Sequence, residues 1–223
     1  MPSSNIDLFF EEIKYSYTSM HMSLYMELFI KTSHSKGLLV DAKSNNKYSI
    51  EVLGKKYLLR NDYISYGIET SLRNEHNWGI LGDMAIIQSF SYISSRFSEL
   101  IDNNKTFEQY TQELFEKRGY NFSAFYSILR FIRNISVHGS TNINYTLKEE
   151  DFKDWKKYQT SKGISILKLD LNIVDKLHKL EIEIRIDELV EGYNISNIFN
   201  SYNMFMFIEL CMNMVAGFKE GHK

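Results

Sequence analysis

Apolar residues recur every three or four positions over most of the chain, a spacing that predicts amphipathic helices. This periodicity predicts helices over residues 6–33, 63–73, 78–101, 106–118, 121–138, 148–158 and 196–218. Pro2 is the sole proline of the sequence, so proline interrupts none of the predicted helices. We therefore expect a mainly α-helical bundle.

Two stretches break the helical pattern and predict strands. Short β-prone runs within residues 37–59 are separated by polar and glycine-containing turns, which predicts a β-hairpin or three-stranded meander inserted at residues 36–60. Within residues 163–187, apolar and polar positions alternate over 164–171 and 180–186, which predicts a second β insert, although a helix over 170–180 fits equally well. We predict a single domain over residues 1–223, mainly α, with one or two small β-hairpin insertions.

The amino-acid composition bears on which partners the protein is expected to bind. The chain is 43% hydrophobic and 14% aromatic, which suffices for a large core. Its 26 basic and 28 acidic residues nearly balance, so no global electrostatic attraction to nucleic acid is expected. Contact with nucleic acid would require a local patch, or one shared between subunits.

Several features favour the cytoplasm and no membrane partner. The single cysteine, Cys211, has no partner for an internal disulfide and lies in an apolar helical run, where a buried small side chain is expected. The N-terminus lacks the basic and apolar regions of a signal peptide. The most apolar run, residues 204–218, is shorter than the roughly 20 residues that span a bilayer. A methionine stripe on the first helix, Met20, Met22 and Met26, predicts either core or subunit interface.

The densest cluster of chemically capable side chains lies at the end of the fifth predicted helix, within Phe131–Gly139. Arg130, Asn134 and His138 step by four residues and therefore share one helix face, with Arg133 beside them. The opposite face would anchor the helix to the core through Ile128, Ile132 and Ile135. The polar groups are thereby predicted to be displayed on a rigid support, as a catalytic site requires.

These residue types suit phosphodiester chemistry. Histidine can move a proton near neutral pH, and an arginine offers a planar fork of donors to a phosphate and to the extra charge of a phosphorane. No carboxylate or second histidine is close in sequence, so we expect neither a metal nor another cofactor. RNA supplies its own nucleophile, the 2′-OH. The alternative is structural: a solvated or salt-bridged arginine at a helix C-terminus, with His138 as a cap favoured by the helix dipole.

Residues 133–138, Arg-Asn-Ile-Ser-Val-His, resemble the Arg-Asn-x-x-x-His form of the motif of HEPN domains, a helical-bundle superfamily of toxin–antitoxin, abortive-infection, CRISPR-associated and other antiviral defence systems. The resemblance covers this motif and the helical setting of residues 60–218. It implies that Arg133 and His138 are the catalytic pair. Asn134 supports them, and with Arg130 it would position the RNA backbone.

The resemblance also implies how such a site works. Active family members form homodimers in which two motifs face one composite cleft, and they cleave RNA without metal to 2′,3′-cyclic phosphate and 5′-OH ends. An antitoxin or another defence-system protein is an expected partner. The alternative from a different class is a catalytically inactive HEPN-like helical domain that binds a partner protein or nucleic acid.

Overall fold

The structure, a computed structural model, describes residues 3–36, 49–58, 61–73, 79–137, 146–172 and 179–221. Helices account for most of these residues. The α-helices are α1 (Ser3–Ser35), α2 (Asn61–Arg73), α3 (Gly79–Asn103), α4 (Lys105–Lys117), α5 (Phe122–Val137), α6 (Glu149–Ser161) and α7 (Ser201–Gly221), with a 3₁₀ turn at Ile195–Asn197. The helical periodicity of the sequence located six of the described α-helices to within three residues at each end, whereas the predicted start at residue 196 precedes α7 by five residues and falls in the 3₁₀ turn.

Two antiparallel hairpins complete the described elements. Strands β1 (Ser49–Val52) and β2 (Lys55–Leu58) pair around a turn in which Leu53 and Gly54 both have positive φ. Strands β3 (Ile166–Asn172) and β4 (Lys179–Arg185) form the longer hairpin. The β alternative for residues 163–187 is thus confirmed, and the helix over 170–180 is wrong for its described part. The first part of the predicted insert at residues 36–60, namely residues 37–48, lies outside the described residues.

A mainly α-helical fold with small β-hairpin insertions is therefore confirmed. The chain divides into two compact units: Met1–Met20 with Ile86–Lys223, and His21–Ala85. We call them the large and the small unit. Because compactness does not establish independent folding, one domain over residues 1–223 stays a prediction. No helix among the described residues has both the length and the apolar character needed to cross a membrane.

An aromatic core holds the helices of the large unit together. Phe97 of α3 packs edge-on against Phe107 of α4 at 5.3 Å between ring centroids, and against Phe125 of α5 at 6.1 Å. Phe125 in turn stacks on Phe207 of α7 at 5.8 Å. All four rings are fully buried, and aromatic pairs in these geometries add to the free energy of burial.

The β3–β4 hairpin closes one side of this core because its side chains alternate in and out. Along both strands every second residue is buried, and the inward set is Leu167, Leu169, Leu171, Leu180, Ile182 and Ile184. The hairpin packs on α5 through β3 and on α7 through β4. This alternation is what the sequence showed as a β pattern.

Helix α5 begins and packs as its sequence predicts. Gly119 ends the preceding helix with a φ of +70°, and Asn121 then caps α5 by accepting the Ala124 backbone N–H at 3.0 Å. Helix α6 is fastened to α5 by Trp155, whose indole N–H donates to the Ser127 carbonyl at 2.9 Å. The Trp155 ring also lies 4.8 Å from that of Phe131. These contacts fix α5 on its buried side.

The small unit contains a buried carboxylate. Glu27 of α1 is 3% exposed, and it accepts hydrogen bonds from the Ser71 hydroxyl at 3.0 Å and the Leu81 backbone N–H at 3.3 Å. The Lys31 ammonium is 3.7 Å away. Glu27 therefore links α1 to α2 and α3 within this unit.

The three methionines of the α1 stripe differ in burial. Met20 is buried in the large unit, as a core residue should be. Met22 and Met26, in the small unit, are 57% and 46% exposed. Cys211 is fully buried, and burial raises the pKa of its thiol well above the ordinary value, so its prediction as a small core side chain is confirmed.

Candidate functional site

Arg133 lies about one turn before the end of α5 and is held there by a carboxylate from α3. Its Nη1 is 3.0 Å from Oδ2 of Asp102, and the side chains of Arg133 and Asp102 are 36% and 30% exposed. The other oxygen of Asp102 accepts a hydrogen bond from the Tyr126 hydroxyl. Asp102 thus receives donors from two turns of α5 and fixes the direction of the guanidinium.

Tyr126 remains a hydrogen-bond donor over the whole neutral range. Partial burial, the hydrogen bond to Asp102 and the charge of Asp102 raise the pKa of the Tyr126 phenol to about 12. The Tyr126 ring is also stacked on that of Phe122, one turn earlier on α5, at 6.0 Å and an interplanar angle of 17°. The Tyr126 side chain is therefore held at its hydroxyl by Asp102 and at its ring by Phe122.

Arg130 is exposed and extends the basic surface toward α6. Its Cζ lies 5.8 Å from the centroid of the Tyr126 ring, within the range of a cation–π contact. The ammonium of Lys162, at the end of α6, lies 4.3 Å from the centroid of the exposed Tyr158 ring. Lys162, and more weakly Arg130, lower the pKa of the Tyr158 phenol. Arg130 is therefore in contact with Tyr126, and its charge also acts on Tyr158.

The remaining motif residues have different surroundings. Asn134 is half-buried. On the opposite face Ile128 and Ile132 are fully buried and Ile135 is 2% exposed, as predicted for the core side of α5. His138, the residue directly after the last position of α5, lies outside the described residues. Its role as a catalytic residue stays a prediction.

The structure brings Arg130, Arg133 and Asn134 to one end of α5, as their spacing implied. It adds Asp102 and Tyr126, which the sequence reasoning missed. Asp102 is 31 residues from Arg133 and stands among ordinary polar positions at the end of α3, so no spacing rule selects it. Tyr126 precedes Arg130 by four residues, and that helical spacing could have placed it on the same face.

The arrangement can bind an anion. One guanidinium N–H group is engaged by Asp102, and arginine has five such donors, so others remain for a phosphate. Asp102 balances the charge of Arg133 but leaves that of Arg130 exposed. Across the ranges that the structure describes, no three His, Cys, Asp or Glu side chains converge as metal ligands would.

A shallow groove of about 700 Å³ lies beside α6, and its lysines are largely engaged by the protein itself. The ammonium of Lys156 donates to the Leu189 carbonyl at 2.6 Å, and Lys153 pairs with Glu149 at 3.0 Å. The groove also carries Glu191 on its rim. It is therefore a weaker anion site than the end of α5.

Comparison with known proteins finds no similar protein. No protein-family model, curated protein or solved structure matches the chain.

Proposed function

We propose that the protein is a metal-independent endoribonuclease of HEPN type that acts in toxin–antitoxin or antiviral defence. The observation that carries the proposal is the accessible guanidinium of Arg133, fixed by Asp102 at 3.0 Å on a helix whose other face is buried. A donor held in this way can meet a phosphate without reorganising, which is the condition for electrostatic stabilisation of a phosphorane. Asn134 follows directly, and His138 is the next polar residue with acid–base capacity.

The proposed reaction needs only the RNA and the protein. The 2′-oxygen attacks the adjacent phosphorus as its proton passes to a base. The bond from phosphorus to the 5′-oxygen breaks, and that oxygen takes up a proton. The products are a 2′,3′-cyclic phosphate and a 5′-OH. Arg133 stabilises the charge on the phosphorane, Asn134 and Arg130 position the backbone, and His138 transfers protons near neutral pH.

We place this reaction in a homodimer, because one motif supplies a single histidine and the reaction needs both a base and an acid. Two copies of His138 in one cleft provide both. Light scattering coupled to size-exclusion chromatography measures the mass directly. A particle of twice 26.3 kDa is expected, and a monomer at the concentrations that cleave RNA would contradict the composite cleft.

The test is RNA cleavage in EDTA with Arg133→Ala and His138→Ala. Mixed-sequence single-stranded RNA should be cut to 2′,3′-cyclic phosphate ends, detected by mass spectrometry, while DNA of the same sequence stays intact because it lacks the nucleophile. Each variant should lose at least about 100-fold in rate. Arg118→Ala and His34→Ala, changes at exposed positions elsewhere, serve as matched controls. RNA left intact at every protein concentration, or cut equally by all variants, would overturn the proposal.

The second candidate is a catalytically inactive helical domain that binds a partner protein. Two observations favour it: Asp102 already balances the charge of Arg133, and the small unit exposes a run of apolar side chains on α1. These are Met22, Tyr25, Met26, Leu28 and Phe29, each between 46% and 62% exposed. Contiguous exposed apolar residues commonly mark protein-binding surfaces. Absence of cleavage by the wild-type protein would favour this candidate.

A further inference from the structure

Beyond the motif itself, the large unit interleaves exposed aromatic and basic side chains across α5 and α6. Tyr158 is 54% exposed and carries Lys162 at one face, with Nζ 4.3 Å from the ring centroid. Arg130 is exposed on the adjoining helix, over the ring of Tyr126. Such a mixture of cations and accessible rings is the composition of a surface for single-stranded nucleic acid.

The two helices hold these side chains at fixed places. The hydrogen bond from Trp155 to the Ser127 carbonyl and the packing of Trp155 on Phe131 lock α6 against α5. Tyr158 follows Trp155 by one helical turn, and Arg130 follows Ser127 by one turn. The positive charge of Arg130 also contributes to lowering the pKa of Tyr158. The two packed helices therefore both contribute cations and exposed rings to this part of the large unit.

The charges on this surface are available to a ligand. Arg130 and Lys162 each contact an aromatic ring, and Lys162 also hydrogen-bonds the Tyr158 side chain, but an ammonium has three N–H donors and a guanidinium has five. Asp102, which pairs with Arg133, also accepts a hydrogen bond from Tyr126. A near-neutral chain can thus present a local basic strip, which the overall charge of −2 conceals.

We propose that this surface is a track for single-stranded RNA that leads to Arg133. One base stacks on the Tyr158 ring, and the neighbouring phosphates bind Lys162 and Arg130. The track deepens the proposed ribonuclease function and rests on it for the identity of the strand. It names the substrate class as unpaired RNA, because the bases of a duplex are not available for stacking on a protein ring.

The experiment measures binding separately from cleavage. A fluorescein-labelled RNA of about 12 nucleotides, within the range of single-strand sites, is fully 2′-O-methylated so that the attacking group is blocked. Its binding to the full chain in EDTA is followed by fluorescence anisotropy. Because the probe cannot be cut by the proposed reaction, the anisotropy reports binding alone, whether or not the protein is a nuclease.

Three variants and two controls decide the outcome. Tyr158→Ala should weaken binding about tenfold, whereas Tyr158→Phe should bind as the wild type does because it keeps the ring. Lys162→Ala should lower the slope of log affinity against log salt by about 0.7. The controls are Tyr202→Ala on α7 and Lys168→Ala on β3, which remove an exposed ring and an exposed charge from other elements.

Two results would overturn the track. One is wild-type protein that does not bind the single strand, or that binds a duplex of the same sequence equally well. The other is a loss for Tyr158→Ala no greater than for Tyr202→Ala. Cleavage that depends on Arg133 alongside either result would leave the nuclease standing without the track. Binding that depends on Tyr158 without cleavage would leave the track and remove the nuclease.

Discussion

Arg133 and Asp102 form a partly exposed ion pair, with Nη1 3.0 Å from Oδ2, at the junction of α5 and α3. Pairs at this exposure contribute little to stability, about 0–1 kcal/mol. The pair matters instead for geometry, because Asp102 also accepts from Tyr126 and so cannot turn freely. The Arg133 guanidinium is thereby oriented before any ligand binds.

Asp102→Asn tests whether the orientation of the Arg133 guanidinium contributes to catalysis. The amide keeps the shape but removes the charge and replaces one acceptor oxygen with a donor, so Arg133 loses its ion-pair partner. We expect kcat for RNA cleavage to fall about tenfold, or about 1.4 kcal/mol in the barrier, while KM is unchanged or lower because a negative charge is gone. Steady-state kinetics separate the two. An unchanged kcat would show that the pair is only structural.

The raised pKa of Tyr126 predicts that the free energy of unfolding changes at alkaline pH. Its pKa is raised from 10.0 to about 12 in the folded protein. Between those values the folded state holds the proton that the unfolded state has lost, so the stability that this phenol contributes is complete below pH 10 and falls as pH rises toward 12. Urea unfolding between pH 9 and pH 12 should therefore show a shallower decline for Tyr126→Phe. Equal slopes would contradict the shift.

Phe131→Ala should destabilise the support of the motif. The ring is fully buried between Trp155, at 4.8 Å, and Phe199, at 6.4 Å, and its loss leaves a cavity beneath Arg130 and Arg133. We expect the free energy of unfolding to fall by about 3–5 kcal/mol. The matched control is Tyr202→Ala, an exposed aromatic, for which a change within about 0.5 kcal/mol is expected. Chemical denaturation followed by circular dichroism measures both.

Glu27→Ala tests the buried carboxylate of the small unit. The change leaves the Ser71 hydroxyl and the Leu81 N–H without their acceptor, so local opening should become easier by about 2 kcal/mol. Hydrogen exchange measured on peptides from residues 21–35 of α1 and from α2 reports this unit directly. Glu69→Ala, which removes an exposed partner of Arg73, is the control and should change exchange little. Equal protection in the two variants would refute the role of Glu27.

The sequence by itself determined the local elements. The helices depend on side chains within a few residues of one another, so the spacing of apolar residues was sufficient to predict them. It also determined which face of α5 is apolar, because that face follows from 3.6 residues per turn. The candidate motif at Arg133 was visible for the same reason.

Tertiary structure alone decided what surrounds that motif. Asp102 meets Arg133 across 31 residues, and Lys162 joins the surface of Arg130 from a different helix, and both depend on how helices pack rather than on spacing within one. The choice between helix and strand at residues 170–180 was likewise decided by packing on α5 and α7, since the local pattern supported both. The division into two compact units also arises from long-range contacts, which no short stretch of sequence encodes.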